Sequence, residues 1–464
     1  MYYFLKPQYV LRGWQKAPYA VVDIKKHATF FLNKEVFDVL SMCDGKIDFS
    51  IPFLVSDQQR KTVEQLFGQG VLDKSDVPGT ISSHQEYFQY PSRFINQAHW
   101  SITGKCNYRC RHCYMSAEDA KLGELPFETI LKIIDELDKC GVGRVSLTGG
   151  EPLVRSDFWD IIDVLLEKNI EIASIYSNGA LVNDRFLDEL KKRGLENCVI
   201  DMSYDGPGFH DWLRGINGAE KLVDAAFLRC KENKIRTRAE MCLCENNRHL
   251  LRESINHLAE VGCSRLKVNG ISNLGKWKEN GFGTSISTPD LYQTYLDYIP
   301  YFYEDGAPIN LQLGGFFMGK KGDLTYYSIP RNREGQDPEK VCLCNHARNI
   351  LYISPEGRAL PCFSLSGMNV QERFPVIQDI GLVQCLNDSF FMNFVQKKAV
   401  EIIEHNEQCR GCEYQNVCLG GCRAEALALN ENGFLDKDPN ACEFYLGGWY
   451  DKLKETIRKT FTIT

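Results

Sequence analysis

Between residues 96 and 272, short runs rich in β-branched and aromatic residues alternate with longer amphipathic segments. The short runs predict strands and the longer segments predict helices, because side chains on one face recur every two residues in a strand and about every 3.6 in a helix. This alternation predicts an α/β fold in which a parallel sheet, covered by helices, curves into a partial (β/α)6 barrel. The six predicted strands are HWSIT (99–103), RVSLT (144–148), EIASIYS (171–177), CVIDMSY (198–204), IRTRAEMCL (235–243) and RLKVNG (265–270).

The segments outside this region follow different patterns. Residues 1–85 contain two strand-like runs, two amphipathic helices and a short final strand, which predict a winged-helix-like module. Residues 273–341 predict a less regular bridge with one aromatic-rich helix, residues 342–446 predict a cysteine-rich domain, and residues 447–464 predict a C-terminal helix.

Composition narrows the functional classes. The chain has 464 residues, of which 44% are hydrophobic and 25% charged, as in ordinary globular proteins. Its net charge of −7 argues against a nucleic-acid surface, which normally carries a basic excess. We expect no membrane span and a cytoplasmic location, since no long apolar run and no export signal is evident.

Nineteen cysteines in a chain expected to stay in a reducing compartment point to metal binding rather than to disulfides. Three of them, Cys106, Cys110 and Cys113, follow the first predicted strand in a Cys-x3-Cys-x2-Cys spacing. A structural zinc site normally requires four ligands, and His112 lies where a tight turn would direct it away from a shared metal. A 4Fe-4S cluster with one iron left open suits the spacing better than zinc.

Polar residues follow the next three predicted strands, at the edge where parallel sheets bind ligands. Gly149, Gly150 and Glu151 lie in TGGEP, where the glycines allow close backbone approach to a ligand. Hydroxyl, amide and guanidinium groups follow, and they suit the carboxylate and ribose of a small zwitterionic nucleoside. These groups belong to Ser177, Asn178, Ser203 and, in HDWLRG, Arg214.

These motifs resemble those of the radical S-adenosylmethionine (SAM) enzymes, with His112 as the aromatic residue before the last cysteine. The resemblance implies that SAM chelates the open iron and is cleaved to a 5'-deoxyadenosyl radical that abstracts hydrogen from a substrate. The implied SAM-binding residues are Gly149, Gly150, Glu151, Ser177, Asn178, Ser203, Arg214 and His112.

The C-terminal cysteines resemble the SPASM extension of that family. By similarity, one auxiliary 4Fe-4S cluster would be held by Cys409, Cys412, Cys418 and Cys442, which we call the second auxiliary set. Another would be held by Cys344, Cys362 and Cys422, the first auxiliary set. Its fourth ligand is either Cys342 or a substrate thiol.

SPASM enzymes act on peptides or proteins, and residues 1–85 resemble the PqqD-like recognition elements of ribosomal-peptide maturases, in which a leader peptide adds as a strand. The sequence therefore predicts a maturase that forms a thioether or carbon-carbon cross-link in a leader-guided precursor peptide, with flavodoxin or ferredoxin as reductant. Oxidation of a sulfatase Cys or Ser to formylglycine, peptide epimerisation and a multi-cluster electron carrier are the alternatives. Candidate catalytic groups inside the barrel are Glu240, Asp205 and Cys242.

Overall fold

A computed structural model describes residues 1–26, 28–117, 120–280, 284–331, 333–430 and 432–463. Its strands are β1 (Tyr2–Leu5), β2 (Tyr9–Trp14), β3 (Ala17–Asp23), β4 (Ala28–Phe31), β5 (Leu72–Ser75), β6 (Phe88–Tyr90), β7 (Gln97–Ser101), β8 (Arg144–Thr148), β9 (Glu171–Ser177), β10 (Val199–Ser203), β11 (Thr237–Leu243), β12 (Arg265–Gly270), β13 (Asn310–Leu313), β14 (Phe317–Lys320), β15 (Asp323–Ser328), β16 (Ile350–Ile353) and β17 (Ala359–Leu360).

Helices cover both ends of the chain and the outside of the main sheet. They are α1 (Lys34–Ser41), α2 (Asp57–Gly68), α3 (Phe127–Lys139), α4 (Phe158–Glu167), α5 (Asp184–Lys192), α6 (His210–Arg214), α7 (Ala219–Glu232), α8 (Leu251–Glu260), α9 (Gly275–Asn280), α10 (Thr288–Glu304), α11 (Ile377–Ile380), α12 (Leu382–Asn387), α13 (Phe390–Val395), α14 (Ala399–His405), α15 (Glu407–Arg410), α16 (Gln415–Cys418), α17 (Arg423–Leu429), α18 (Pro439–Leu446) and α19 (Trp449–Ile463). In the described ranges no helix is long and apolar enough to cross a bilayer.

The main sheet has eleven strands in the order β15-β14-β13-β12-β11-β10-β9-β8-β7-β16-β17. The predicted parallel strands β7 to β12 are confirmed, and each pairs with the next. Buried aliphatic side chains of α3, α4 and α5 cover the outer face, which joins one continuous core. The strands' carboxyl ends therefore meet along one open edge.

The sheet extends beyond the predicted six strands. β13, from the segment expected to be an irregular bridge, pairs parallel with β12, and β16, from the cysteine-rich region, pairs parallel with β7. Both strands are only four residues long and pair with strands that are distant in the chain, so their partners are not evident from the sequence. The auxiliary cysteines are thereby attached directly to the barrel.

The N-terminal region forms its own small core around Tyr3, Leu40 and Leu72. Its four-stranded sheet has the order β4-β3-β2-β6, and β1 pairs with β5. β4 is an edge strand of this sheet, and its Phe30 and Phe31 are 50% and 54% exposed.

Candidate active site at the strand ends

The loop after β7 presents three sulfur atoms, and each receives an N–H group. The backbone N–H of Tyr108 lies 3.3 Å from Cys106 Sγ, and that of Ala117 lies 3.4 Å from Cys113 Sγ. The side chain of Arg214 donates to Cys110 Sγ at 3.9 Å. Burial raises the pKa of Cys106 to about 12. A bound metal centre would offset the cost of ionising this buried thiol. N–H donors to sulfur are typical of cluster thiolates, so the loop fits an iron-sulfur cluster.

The two glycines of TGGEP lie against this loop. Gly150 N–H donates to the carbonyl of Thr103 at 2.9 Å, and Glu151 N–H donates to that of Lys105 at 2.8 Å. A Cβ on Gly150 would lie 2.2 Å from the Lys105 oxygen. The sequence suggested that these glycines admit a ligand; in the structure, the close approach that they permit is to the backbone leading into Cys106.

Glu151 links two strand ends. Its fully buried carboxylate accepts hydrogen bonds from the backbone N–H of Asn178 (2.7 Å), the hydroxyl of Ser177 (3.2 Å) and the backbone N–H of Leu153 (3.2 Å). Burial raises the pKa of Glu151 to about 7. The side chain thus supports the neighbouring polar residues from behind.

Asn178 faces the cysteine loop. Its side-chain amide donates to Asn107 Oδ1 at 2.8 Å and lies 4.0 Å from Cys106 Sγ. Ser203, the last residue of β10, is half-buried at the same edge. Asn178 therefore places an amide beside Cys106, and Ser203 ends the next strand at the same edge of the sheet.

Asp205 and Arg214 form a buried pair beneath Cys110. Arg214 Nε donates to Asp205 Oδ2 at 2.7 Å, and the carboxylate also accepts from the backbone N–H of Cys242 at 3.0 Å. Although burial opposes it, the charge of Arg214 holds the pKa of Asp205 well below its ordinary value. A carboxylate so paired is a poor proton acceptor, so this geometry favours a positioning role for Asp205 rather than the role of base.

His112 lies against the same pair. Burial, followed by the charge of Arg214, lowers its pKa to about 3, so the ring is neutral. Its Nδ1 is a buried polar atom without a hydrogen-bond partner in the described structure. The loop of the three cysteines therefore contains a neutral imidazole close to Arg214 and Asp205.

Glu240 and Lys267 lie on the inner face of the sheet with Nζ and Oε1 3.5 Å apart. Glu240 stays partly accessible, whereas burial raises the pKa of Cys242 to about 12 and keeps its thiol protonated. Nearby His99 stacks on Tyr176 with ring centroids 4.7 Å apart. The interior is therefore polar and lined by aromatic rings, as the alternation of β11 and β12 indicates.

The second auxiliary set converges on one cavity. All four of these thiols line it together with Tyr414 and Tyr445. Sulfur ligands around a space of this kind fit an iron-sulfur cluster.

The first auxiliary set also comes together. Burial and then the neighbouring Cys362 and Cys422 raise the pKa of Cys344. Phe363, next to Cys362, contacts Tyr114, next to Cys113, with ring centroids 6.4 Å apart. This set therefore lies close to the cysteine loop after β7.

Cys342 is oriented differently. Its sulfur is 3.4 Å from Arg348 Nη1 and 3.7 Å from the carbonyl oxygen of Gln396. Burial raises the pKa of Cys344 most, followed by the thiols of Cys362 and Cys422. Fourth-ligand status for Cys342 stays a prediction.

Sequence reasoning missed Asp438 and Asn107. Asp438 caps α18, which carries Cys442, and Asn107 accepts from Asn178. The Asp-Pro pair at 438–439 is a recognisable helix-start signal that could have identified Asp438. Asn107 has no comparable signal.

A parallel sheet whose first strand leads into three N–H-supported thiols, with polar groups at the following strand ends, is the arrangement expected of a radical SAM domain. Residues 100–258 match the family model of the Radical SAM superfamily, so this part of the chain is a radical SAM domain.

Curated relatives and solved structures agree with this class. The chain is similar to an AdoMet-dependent heme synthase of Oleidesulfovibrio alaskensis, with 24% identity over 71% of this chain and 83% of the relative. It is equally similar to a PqqA peptide cyclase of Granulibacter bethesdensis, with 24% identity over 74% of this chain and 85% of the relative. The crystal structure of Streptococcus suis SuiB bound to precursor peptide SuiA has the same fold, with a TM-score of 0.67, 14% identity and coverage of 95% and 100%.

Proposed function

We propose that the protein is a radical SAM maturase that modifies a leader-guided precursor peptide by an oxidative cross-link, a thioether or a carbon-carbon bond. The observation that carries this proposal is the full-length fold similarity to SuiB, which binds a precursor peptide. Coverage of 95% of the chain includes most of the 85-residue N-terminal module. The heme synthase matches with the same identity as the peptide cyclase, so identity alone does not choose between them.

Cys106, Cys110 and Cys113 would hold the radical 4Fe-4S cluster, with SAM beside it. When bound, this pair supplies hydrogen-atom abstraction by a 5'-deoxyadenosyl radical. Asn178 and Ser203 offer an amide and a hydroxyl to the polar groups of SAM, and Glu151 fixes Asn178 by its 2.7 Å hydrogen bond. Arg214 contributes a positive charge held by Asp205.

The first and second auxiliary sets would hold two further 4Fe-4S clusters, which supply a place for the electron that an oxidative cross-link releases. The first set lies near the radical site through the contact between Tyr114 and Phe363. Cys342, whose sulfur receives a hydrogen bond from Arg348, is the candidate fourth ligand of the first set, with a substrate thiol as the alternative.

Glu240 is the candidate base for the proton that leaves the substrate. It is the carboxylate on the inner face that is neither fully buried nor tightly paired, and Lys267 holds it at 3.5 Å. Cys242 is a weaker candidate for the base, because burial raises its pKa to about 12 and its thiol stays protonated.

The N-terminal module supports leader recognition. β4 is hydrogen-bonded to β3 along one side, and its other side lies at the end of the four-stranded sheet. An edge strand with exposed Phe30 and Phe31 can accept an extended peptide through main-chain hydrogen bonds and apolar contacts.

The proposal can be tested by incubating the enzyme, reconstituted with its iron-sulfur clusters, under anaerobic conditions in a reducing buffer. The reaction contains SAM, a reduced flavodoxin or ferredoxin, and the cysteine-containing peptide encoded nearest its gene. We expect tandem mass spectrometry to show the loss of about two hydrogens per cross-link. Formylglycine, a mass-neutral epimerisation, or heme formation from an iron porphyrin supplied in a separate reaction would contradict the cross-linking assignment. An unmodified peptide without deoxyadenosine would support a simple electron carrier.

A further inference from the structure

Asp438 stands between the two auxiliary sets. The backbone N–H of Cys422, from the first set, donates to Asp438 Oδ2 at 2.8 Å. The other carboxylate oxygen, Oδ1, caps α18 by accepting from the N–H groups of Asn440 (2.8 Å) and Ala441 (3.1 Å). Cys442, from the second set, follows on the first turn of that helix. One side chain therefore fixes one thiol of each site.

The chain around Cys422 is shaped to meet this carboxylate. Leu419, Gly420 and Gly421 have φ values of 54°, 79° and 71°, a left-handed bend that separates Cys418 from Cys422. A Cβ on Gly421 would lie 2.4 Å from the Cβ of Asp438. This packing directs two cysteines only four residues apart into different sets.

The carboxylate of Asp438 is buried. Its side chain is 2% exposed, and across the described ranges no Lys or Arg nitrogen lies within 4.0 Å of the carboxylate. Two arginines in this region donate to other oxygens: Arg423 to the carbonyl of Asp436, and Arg331 to the carbonyl of Asn440 and the hydroxyl of Tyr292. Burial is the largest cause of the raised pKa of the Cys418, Cys422 and Cys442 thiols, and the charge of Asp438 also raises it.

We infer that Asp438 is a positioning residue shared by the two auxiliary sites and that its charge lowers the reduction potentials of both clusters. This inference rests on the proposed function, which assigns clusters to the two sets. The potential of an iron-sulfur cluster depends on nearby charge and on hydrogen bonds. A buried carboxylate opposes the arrival of an electron in its surroundings, and the effect is strong where water is excluded.

The test is a potentiometric titration of the anaerobically reconstituted full chain, followed by electron paramagnetic resonance. Asp438→Asn removes the charge and keeps an oxygen that can cap α18. We expect full iron content, a positive shift of both auxiliary potentials and an unchanged radical-site potential. Asp436→Asn, the same substitution at a partly exposed position two residues away, is the matched control and should move none of them.

Unchanged auxiliary potentials at full iron content would overturn the inference, and so would a shift confined to one auxiliary cluster. If Asp438→Asn loses iron, Asp438→Glu, which restores the charge, decides the outcome. Joint loss from both sites with recovery in Asp438→Glu supports the shared role, whereas loss from one site alone contradicts it. A wild-type chain that binds only about four irons would instead refute the auxiliary clusters themselves.

Discussion

The carboxylate of Glu151 accepts a 2.7 Å hydrogen bond from the backbone N–H of Asn178, and this contact joins the carboxyl ends of β8 and β9. Asn178 in turn reaches Asn107 in the cysteine loop. The glutamate of GGEP therefore sets the position of the next strand end relative to the thiols.

Replacing Glu151 by Ala should destabilise the fold and weaken SAM binding together. The N–H groups of Asn178 and Leu153 would lose their acceptor, which we expect to lower the free energy of unfolding by about 2–4 kcal/mol. Misplacement of Asn178 should weaken SAM binding by about tenfold or more. Denaturation and isothermal titration measure the two effects. Glu167→Ala, at an exposed position on α4, is the control, and equal SAM affinity in both variants would contradict this role.

Gly150→Ala should reduce iron loading of the radical site. The added Cβ would lie 2.2 Å from the carbonyl oxygen of Lys105, so the backbone that leads into Cys106 must shift. Gly143→Ala is a matched control, because its Cβ meets no atom within 4 Å. Iron and sulfide analysis after reconstitution should show a loss of about four irons in Gly150→Ala alone. Equal iron content in the two variants would show that the glycine is not needed for this approach.

Glu240→Gln should uncouple radical formation from product formation. The substitution keeps the size of the side chain and removes its ability to accept a proton. We expect deoxyadenosine to form near the wild-type rate while cross-linked peptide falls by about 100-fold. Glu253→Gln, exposed on the outer helix α8, should leave both rates unchanged. Parallel quantification of deoxyadenosine and peptide decides the matter, and an unchanged product rate in Glu240→Gln would remove this residue as the base.

The stability of the barrel should contain a small pH-dependent term from His257. Its hydrogen bond to Asp224, 2.8 Å long, raises the pKa of the imidazole above the ordinary value of 6.5. A raised pKa means that the stabilisation is fully present below pH 6.5 and is lost as pH rises through the higher folded-state value.

Asp224→Asn should therefore lower the melting temperature at pH 6 more than at pH 9. The effect should stay below about 1 kcal/mol because the pair is half-exposed. Asp184→Asn, whose partner is Arg229, serves as a control without a titrating partner in this range. A melting-temperature loss in Asp224→Asn that does not depend on pH would contradict the assignment.

Much of the fold could be predicted from the sequence, because the strands β7 to β12 are rich in buried residues and are separated by amphipathic helices. β13 and β16 could not be placed in the same way, since four-residue strands carry little periodicity and their partners lie far away in the chain. Cysteine spacing predicts how the thiols group, and the left-handed residues 419–421 separate Cys418 from Cys422 in the structure.

The roles of single site residues were harder to predict. Asp205 has the same neighbours in sequence whether it is a base or a counter-ion, and only the structure shows its 2.7 Å contact with Arg214, which favours the counter-ion. Similarly, the direction of the Cys342 sulfur depends on Arg348 and on a backbone carbonyl 54 residues away.

Cys106, Cys110 and Cys113 are proposed to hold the cluster that cleaves SAM reductively. The most direct measurement is the quantity of 5'-deoxyadenosine formed by the anaerobically reconstituted protein with SAM and a strong reductant, compared with Cys106→Ala prepared identically. We expect deoxyadenosine from the wild-type protein and none above background from the variant. Equal amounts from both proteins, or none from a wild-type protein with full iron content, would contradict the account.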